Sequence, residues 1–175
     1  GDTISLEVSV FDIPLGTTIY GGKSFCEDTL SNEYYITILA GSNVYWLVNG
    51  DTITQGIDVD SLSFTWDTAG TYVITTIEVT TNGCSDTLVD TVIVYPKPNT
   101  SPINGDTAIC LIPTDTFLYY VIGSSGSVFQ WSIGNGSIVG APSTNDSIWV
   151  MWDAPGTGTL TMIEMTPDSC IGDTR

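Results

Sequence analysis

Apolar and polar residues alternate with a period of two along much of the chain, the spacing of half-buried strands rather than of helices. Leu62, Phe64 and Trp66 share one side of such a stretch, and Ser61, Ser63 and Thr65 share the other. Val44-Tyr45-Trp46-Leu47-Val48 runs into Asn49-Gly50-Asp51, a strong turn signal. Further strands are predicted over 33–39, 71–80, 86–95, 116–122, 128–133, 146–152 and 158–166. Segments 71–80 and 158–166 do not alternate cleanly, so the pattern leaves their faces unassigned. Tyr95-Pro96-Lys97-Pro98-Asn99 reads as a short, stiff linker, because proline fixes its own φ and restricts the residue before it.

The pattern occurs twice. Cys26, Trp46, Trp66 and Cys84 are spaced 20, 20 and 18 residues apart, and Cys110, Trp131, Trp152 and Cys170 are spaced 21, 21 and 18. Leu62-Ser63-Phe64-Thr65-Trp66-Asp67 aligns with Ile148-Trp149-Val150-Met151-Trp152-Asp153, and glycines follow both, at Gly70 and Gly156. About seven short strands in about 85 residues, with turns every 8–12, describe an immunoglobulin-like sandwich. The expected fold is all-β: tandem immunoglobulin-like β-sandwiches. Trp46, Trp66, Trp131 and Trp152 are expected in the two cores.

Asp2-Thr3-Ile4, followed by Val8 and Val10, aligns with Asp86-Thr87-Leu88, followed by Val92 and Val94. Residues 1–13 therefore read as the last strand of a preceding repeat, 14–98 as the first sandwich, and 99–175 as a second sandwich without its final strand. The expectation is a piece of a longer array or polymer.

Composition narrows the function. Three Lys and Arg against twenty Asp and Glu give a formal charge of −17. That charge opposes nucleic acid and anionic lipid, both of which require a basic footprint. No run of about 18 apolar residues is present, so no membrane insertion is expected. The four cysteines, in a small β-rich chain without His, point to disulfides and an oxidising, extracellular setting. The expected pairs are Cys26–Cys84 and Cys110–Cys170, because each lies within one repeat. Closing loops of about 60 residues contributes roughly 4 kcal/mol in the chain-entropy view.

The succession Cys, Gly-x-x-x-Tyr/Phe-x-Trp, Asn-Gly, apolar-x-apolar-x-Trp-Asp, Gly, Cys resembles PKD-like repeats of very large secreted surface proteins of Bacteroidota. These include gliding-motility adhesins and cell-surface cargo of type IX secretion. Asn49-Gly50-Asp51 is similar to the turn of standard PKD domains, and Gly134-Asn135-Gly136 departs further from it. The resemblance implies binding or spacing rather than chemistry. Twelve of 15 Asp residues precede Ser or Thr, where chance pairing accounts for about four. Nine of those pairs continue with Ala, Ile, Leu or Val, matching the O-glycosylation signal of that bacterial group. The implied acceptors are Thr3, Thr29, Thr52, Ser61, Thr68, Thr87, Thr91, Thr107 and Ser147; the other reading of these pairs is turn chemistry.

No catalytic constellation emerges. Without His, the nucleophile–base pairs that His completes do not exist. Asp58 and Asp60, placed on one strand about 7 Å apart, imitate a glycosidase pair, but the second repeat has no matching pair. Asp51, Asp58, Asp60 and Asp106 offer oxygen ligands for Ca²⁺, without a regular Ca²⁺ loop; no other cofactor is expected. Trp149 and Met151 replace the outward-facing Ser63 and Thr65, and so form a candidate contact surface. The readings that remain are a non-catalytic segment of an extracellular adhesin or surface stalk, a self-assembling filament subunit using strand exchange, or a carbohydrate-binding accessory module of a secreted enzyme. The expected partners are neighbouring repeats or identical chains, with surface polysaccharide or secretion machinery as further candidates.

Overall fold

The computed structural model describes residues 1–14, 16–112, 114–140 and 145–175. The chain divides into two compact units, Gly1–Val94 and Tyr95–Arg175.

In unit 1, seven strands follow one another: β1 Ser24–Cys26, β2 Asn32–Tyr35, β3 Asn43–Val48, β4 Asp51–Ile57, β5 Ser61–Phe64, β6 Gly70–Val79 and β7 Ser85–Tyr95. They form a five-stranded sheet in the order β1-β7-β6-β3-β4 and a two-stranded sheet, β2-β5. The inward residues of both sheets meet in one core of Tyr34, Ile36, Val44, Trp46, Leu62, Trp66, Ile74, Val92 and Val94 among others. Burying a large aliphatic or aromatic side chain is worth about 1.5–3 kcal/mol, so Trp46 and Trp66, both fully buried, dominate this core. The Trp46 indole N–H donates to the Val59 carbonyl (3.0 Å), and that of Trp66 donates to the Tyr34 hydroxyl (3.0 Å). Both polar atoms thus stay satisfied inside the core. The β3–β4 hairpin turns on Asn49 (φ 50°) and Gly50 (φ 91°), which accept the positive φ of a two-residue hairpin turn.

Unit 2 repeats the frame with β8 Phe117–Tyr120, β9 Val128–Gly134, β10 Gly136–Val139, β11 Ser147–Trp152 and β12 Thr159–Met165. Its sheets are β10-β11-β8 and β12-β9. Tyr119, Val121, Phe129, Trp131, Ile148, Val150 and Met162 form the core. The Trp131 N–H donates to the Asn145 carbonyl (2.7 Å) and the Trp152 N–H to the Tyr119 hydroxyl (3.3 Å), the same two bonds as in unit 1. Trp152, however, is only half-buried. Beyond β12, residues 171–175 turn back along it. Gly172 N–H donates to the Glu164 carbonyl, and Arg175 and Met162 exchange both backbone bonds.

The cysteines differ from the expected pairing. Cys26 and Cys170 are disulfide-bonded, whereas Cys84 and Cys110 are free. The expected Cys26–Cys84 and Cys110–Cys170 bridges are therefore not formed, and strand direction explains why. Lys23, three residues before Cys26, accepts a bond from the Ile93 N–H on β7. Cys84 closes the β6–β7 turn, nine residues back along that strand from Ile93. At ~3.3 Å per residue the two sulfur-bearing residues lie at least ~14 Å apart, beyond the ~7 Å Cα limit of a disulfide. Unit 2 has the same arrangement. Cys170 closes the turn after β12 and bonds to Thr166 just as Cys84 bonds to Thr80. The neighbours of Cys110, Ile109 and Leu111, lie instead beside Gly156 and Gly158, at the other end of β12.

Candidate functional site

The face that most separates the two units is the outer side of the β10-β11-β8 sheet. Side chains on one face of a sheet recur at every second residue and stand beside their cross-strand partners. The register puts Val139 opposite Trp149, and Trp149 opposite Leu118, in a single rung. Their exposures are 37, 46 and 41%. Met151, one step along β11 and half-buried, stands opposite Ser137. The exposed Tyr120 stands opposite Ser147 on the other side of the rung. A central indole bordered by two aliphatic side chains, a thioether and a phenol makes a flat apolar platform with hydroxyls at its margin. The matching rung of unit 1 pairs Glu33 with Ser63. Same frame, same register: a polar face in one unit, an aromatic one in the other.

The carboxylates are placed otherwise than on a catalytic strand. Asp58 and Asp60 lie between β4 and β5, not within a strand. Asp58 has φ 57°, its Oδ1 accepts from the Gly41 N–H (2.6 Å), and its carbonyl accepts from the Asp60 N–H (3.1 Å). The pair thus shapes a tight turn, and the Asp58 carboxylate holds the loop before β3. Among the described residues, no group of three or more His, Cys, Asp or Glu is close enough to hold a metal ion; Asp51, Asp58, Asp60 and Asp106 form no such group.

Two buried acids stand out that strand patterning alone did not reveal. Glu78 on β6 is buried and accepts from the Leu39 N–H (2.8 Å). Its counterpart Glu164 on β12 is fully buried and accepts from the Thr100 hydroxyl (2.6 Å) and the Ser124 N–H (2.7 Å). Burial raises the Glu164 pKa, but the hydrogen bonds, led by Thr100, outweigh it and hold the carboxyl below its ordinary 4.5. Each glutamate ties a distant loop to the strand next to the core, which is structural work. The signal was present in Ile77-Glu78-Val79 and Ile163-Glu164-Met165, an acid between apolar residues at the same place in both repeats. Burial likewise pushes the Tyr34 hydroxyl up, so it remains the neutral partner of Trp66.

The hydroxyls of Asp-Ser and Asp-Thr pairs are unevenly accessible. Thr3, Thr52, Ser61, Thr68, Thr87, Thr91 and Thr107 are exposed. Ser147 is half-buried, with its hydroxyl on the Asp146 carboxylate (3.1 Å). The Thr29 hydroxyl is buried and has no room for a sugar without movement of its loop.

No family profile and no curated protein matches the chain. Solved structures do. A three-domain titin fragment, I67–I69 carrying Glu-to-Ala changes, is 12% identical, with a TM-score of 0.51 over 94% of this chain and 64% of that one. The fibronectin(III)-like modules of Clostridium thermocellum CbhA are 14% identical, with a TM-score of 0.45 over 90% of each chain. SGBP-B of a Bacteroides ovatus mixed-linkage glucan utilization locus, solved in complex with a mixed-linkage heptasaccharide, is 16% identical, with a TM-score of 0.41 over 94% of this chain and 47% of that one. The likeness to titin, with the paired sheets of each unit, establishes the fold: an all-β, immunoglobulin-like sandwich architecture, present here in two successive units.

Proposed function

We propose that the chain is a non-catalytic repeat segment of an extracellular adhesin or surface stalk, in which the repeated frame is the spacer and the unit 2 platform is the contact. The observation that carries this reading is a constant interior beneath divergent faces. The tryptophan–carbonyl bond, the tryptophan–tyrosine bond and the buried glutamate recur in both units. The Glu33–Ser63 rung, by contrast, becomes Leu118–Trp149–Val139. The resemblance to PKD-like repeats of secreted Bacteroidota surface proteins supports an extracellular, cell-surface location, as do the disulfide-bonded cysteines. The same resemblance supports O-glycans on the seven exposed acceptors.

The partner that suits a flat indole with hydroxyls at its edge is a surface polysaccharide, whose sugar rings stack on aromatic faces. The test is retention of the purified chain on insoluble cellulose, chitin and xylan, beside a Trp149→Ser, Leu118→Glu variant that restores the unit 1 residues. Retention on at least one matrix, lost in the variant, is the expected result. No retention, or equal retention of both proteins, sinks the contact role.

A further inference from the structure

Twenty Asp and Glu stand against three Lys and Arg in this chain, yet one broad face of unit 1 carries no formal charge. It is the outer side of the β7-β6-β3-β4 part of the five-stranded sheet, made of the residues that alternate with the buried ones. Across its centre the register pairs Val73 with Thr91, Thr75 with Val89, and Ile77 with Thr87. Leu47 of β3 continues the Thr75–Val89 rung, and Tyr45 continues the next. Val89 and Val73 are 65 and 38% exposed. The acids of these strands lie elsewhere. Glu78 is buried, and Asp86 and Asp90 fall on the alternate side of β7, that of Val92 and Val94. Asp51 sits at the β3–β4 turn.

Neutrality here belongs to the repeat, and the apolar centre belongs to unit 1. The corresponding rungs of unit 2 pair Thr159 with Gly134, Thr161 with Ser132, and Ile163 with Gln130, again without charge. Leu47 of the central rung, however, is replaced there by Ser132. Four strands about 4.8 Å apart, running from Thr71 to Val79 at about 3.3 Å per residue, give the unit 1 face ~19 by ~30 Å. That footprint, on the order of 600 Å², is the weak end of specific interfaces, roughly 600 Å² per partner.

We propose that this face pairs with the same face of a second copy, about a two-fold axis that crosses the strands at the Thr75–Val89 rung. The order of side chains is its own complement about that axis. Val89 meets Val89 of the second copy and Thr75 meets Thr75, while Val73 meets Ile77 and Thr91 meets Thr87. Aliphatic carbon covers aliphatic carbon and hydroxyl faces hydroxyl, as an isologous contact requires. Two sheets so apposed pack about 10 Å apart, with their strands roughly 30° from alignment.

Charge selects this occupant. Two chains of net charge −17 repel wherever their carboxylates approach, and a cationic partner is drawn to the carboxylates rather than to a neutral face. A neutral face set against itself is where identical chains meet with least repulsion. The inference goes beyond the spacer reading, because segments projecting from one surface then join side by side, and it does not need the platform.

Sedimentation equilibrium of the chain tests it. From about 10 µM to about 1 mM the weight-average mass should climb from one chain toward two, as a footprint of this size predicts. Added salt should strengthen the association several-fold by screening the repelling charges. Val89→Lys and Val89→Glu should each stay monomeric, because the axis sets like charges against each other. Their equimolar mixture should associate again, because a two-fold axis at residue 89 pairs the new ammonium of one chain with the new carboxylate of the other. Thr75→Lys and Thr75→Glu repeat the exchange at the second position on the axis, in case a Val89 variant loses its folded amide NMR spectrum. A chain that is still monomeric at about 1 mM overturns the proposal. So does association that survives Val89→Lys, a mixture of the two variants that stays monomeric, or association that weakens with salt. Association lost in Trp149→Ser overturns it too, because the unit 2 platform is then the interface. None of these outcomes bears on polysaccharide retention, so the two readings fail separately.

Discussion

Units 1 and 2 share an interior and differ in where their fourth strand goes. In unit 1, β4 continues from β3 through a two-residue Asn49-Gly50 hairpin and stays in the β3 sheet. In unit 2 only Asn135, at φ 65°, separates β9 from β10, and β10 pairs with β11 in the opposite sheet. Both turns read Asn-Gly, but Gly50 takes positive φ and closes a two-residue hairpin, whereas Gly136 is not among the positive-φ glycines and already opens β10. Gaining β10 as a third strand widens the β11 sheet and gives Trp149 its neighbour Val139. The pairing of β10 with β11 therefore builds the platform as much as the Ser-to-Trp replacement does.

Four measurements break or sharpen this comparison. The largest effect is expected in the cores. Trp66→Ala should destabilise unit 1 by about 3–5 kcal/mol, and Trp152→Ala should cost unit 2 clearly less, because Trp152 is only half-buried. Denaturant unfolding followed by unit-specific NMR peaks checks it, and equal losses would mean that Trp152 is covered in solution.

Next is the buried acid of unit 2. Glu164→Ala strands the Thr100 hydroxyl and the Ser124 N–H and should cost about 2–3 kcal/mol. The wild-type carboxyl has a folded pKa below its ordinary 4.5. Its contribution is therefore complete above the unfolded value and lost as pH falls through the folded one. Glu164→Gln should flatten that acid limb of the unit 2 stability profile, measured by thermal unfolding over pH about 6 to 3. An unchanged limb would place the acid sensitivity elsewhere.

A smaller effect belongs to the turns. Gly50→Ala forces a Cβ into φ 91° and should cost unit 1 about 1 kcal/mol, with unit 2 unmoved. Smallest is the platform itself. Trp149→Ser should change unit 2 stability by no more than about 0.5 kcal/mol, because the side chain lies on the surface. A larger loss would mean that Trp149 is covered in solution.

Much of the fold was legible because burial writes a period of two into a strand. Ser61 to Phe64 alternate in the sequence and in the structure alike, whereas Val44 to Val48 are apolar throughout and alternate only in burial. Segments 71–80 and 158–166 resisted the same reading because their inward positions include Thr76, Glu78, Thr80 and Glu164. Polar groups satisfied by distant loops break the pattern without breaking the strand. β1, β4 and β10 were missed for a related reason. They are short or exposed edge strands, and neighbours rather than composition hold them.

The sequence by itself determined the twofold repeat, the all-β sandwich, the core tryptophans Trp46 and Trp66, and the outward replacement at Trp149. Each of these is a matter of spacing along one chain, and spacing survives without coordinates. Only the tertiary structure decided the cysteine pairing, the sheet that takes β10, and the burial of Glu164. Each of those depends on which strands lie side by side. Two cysteines of one repeat look like partners in the sequence, yet an eleven-residue strand can hold them at opposite ends of a sandwich.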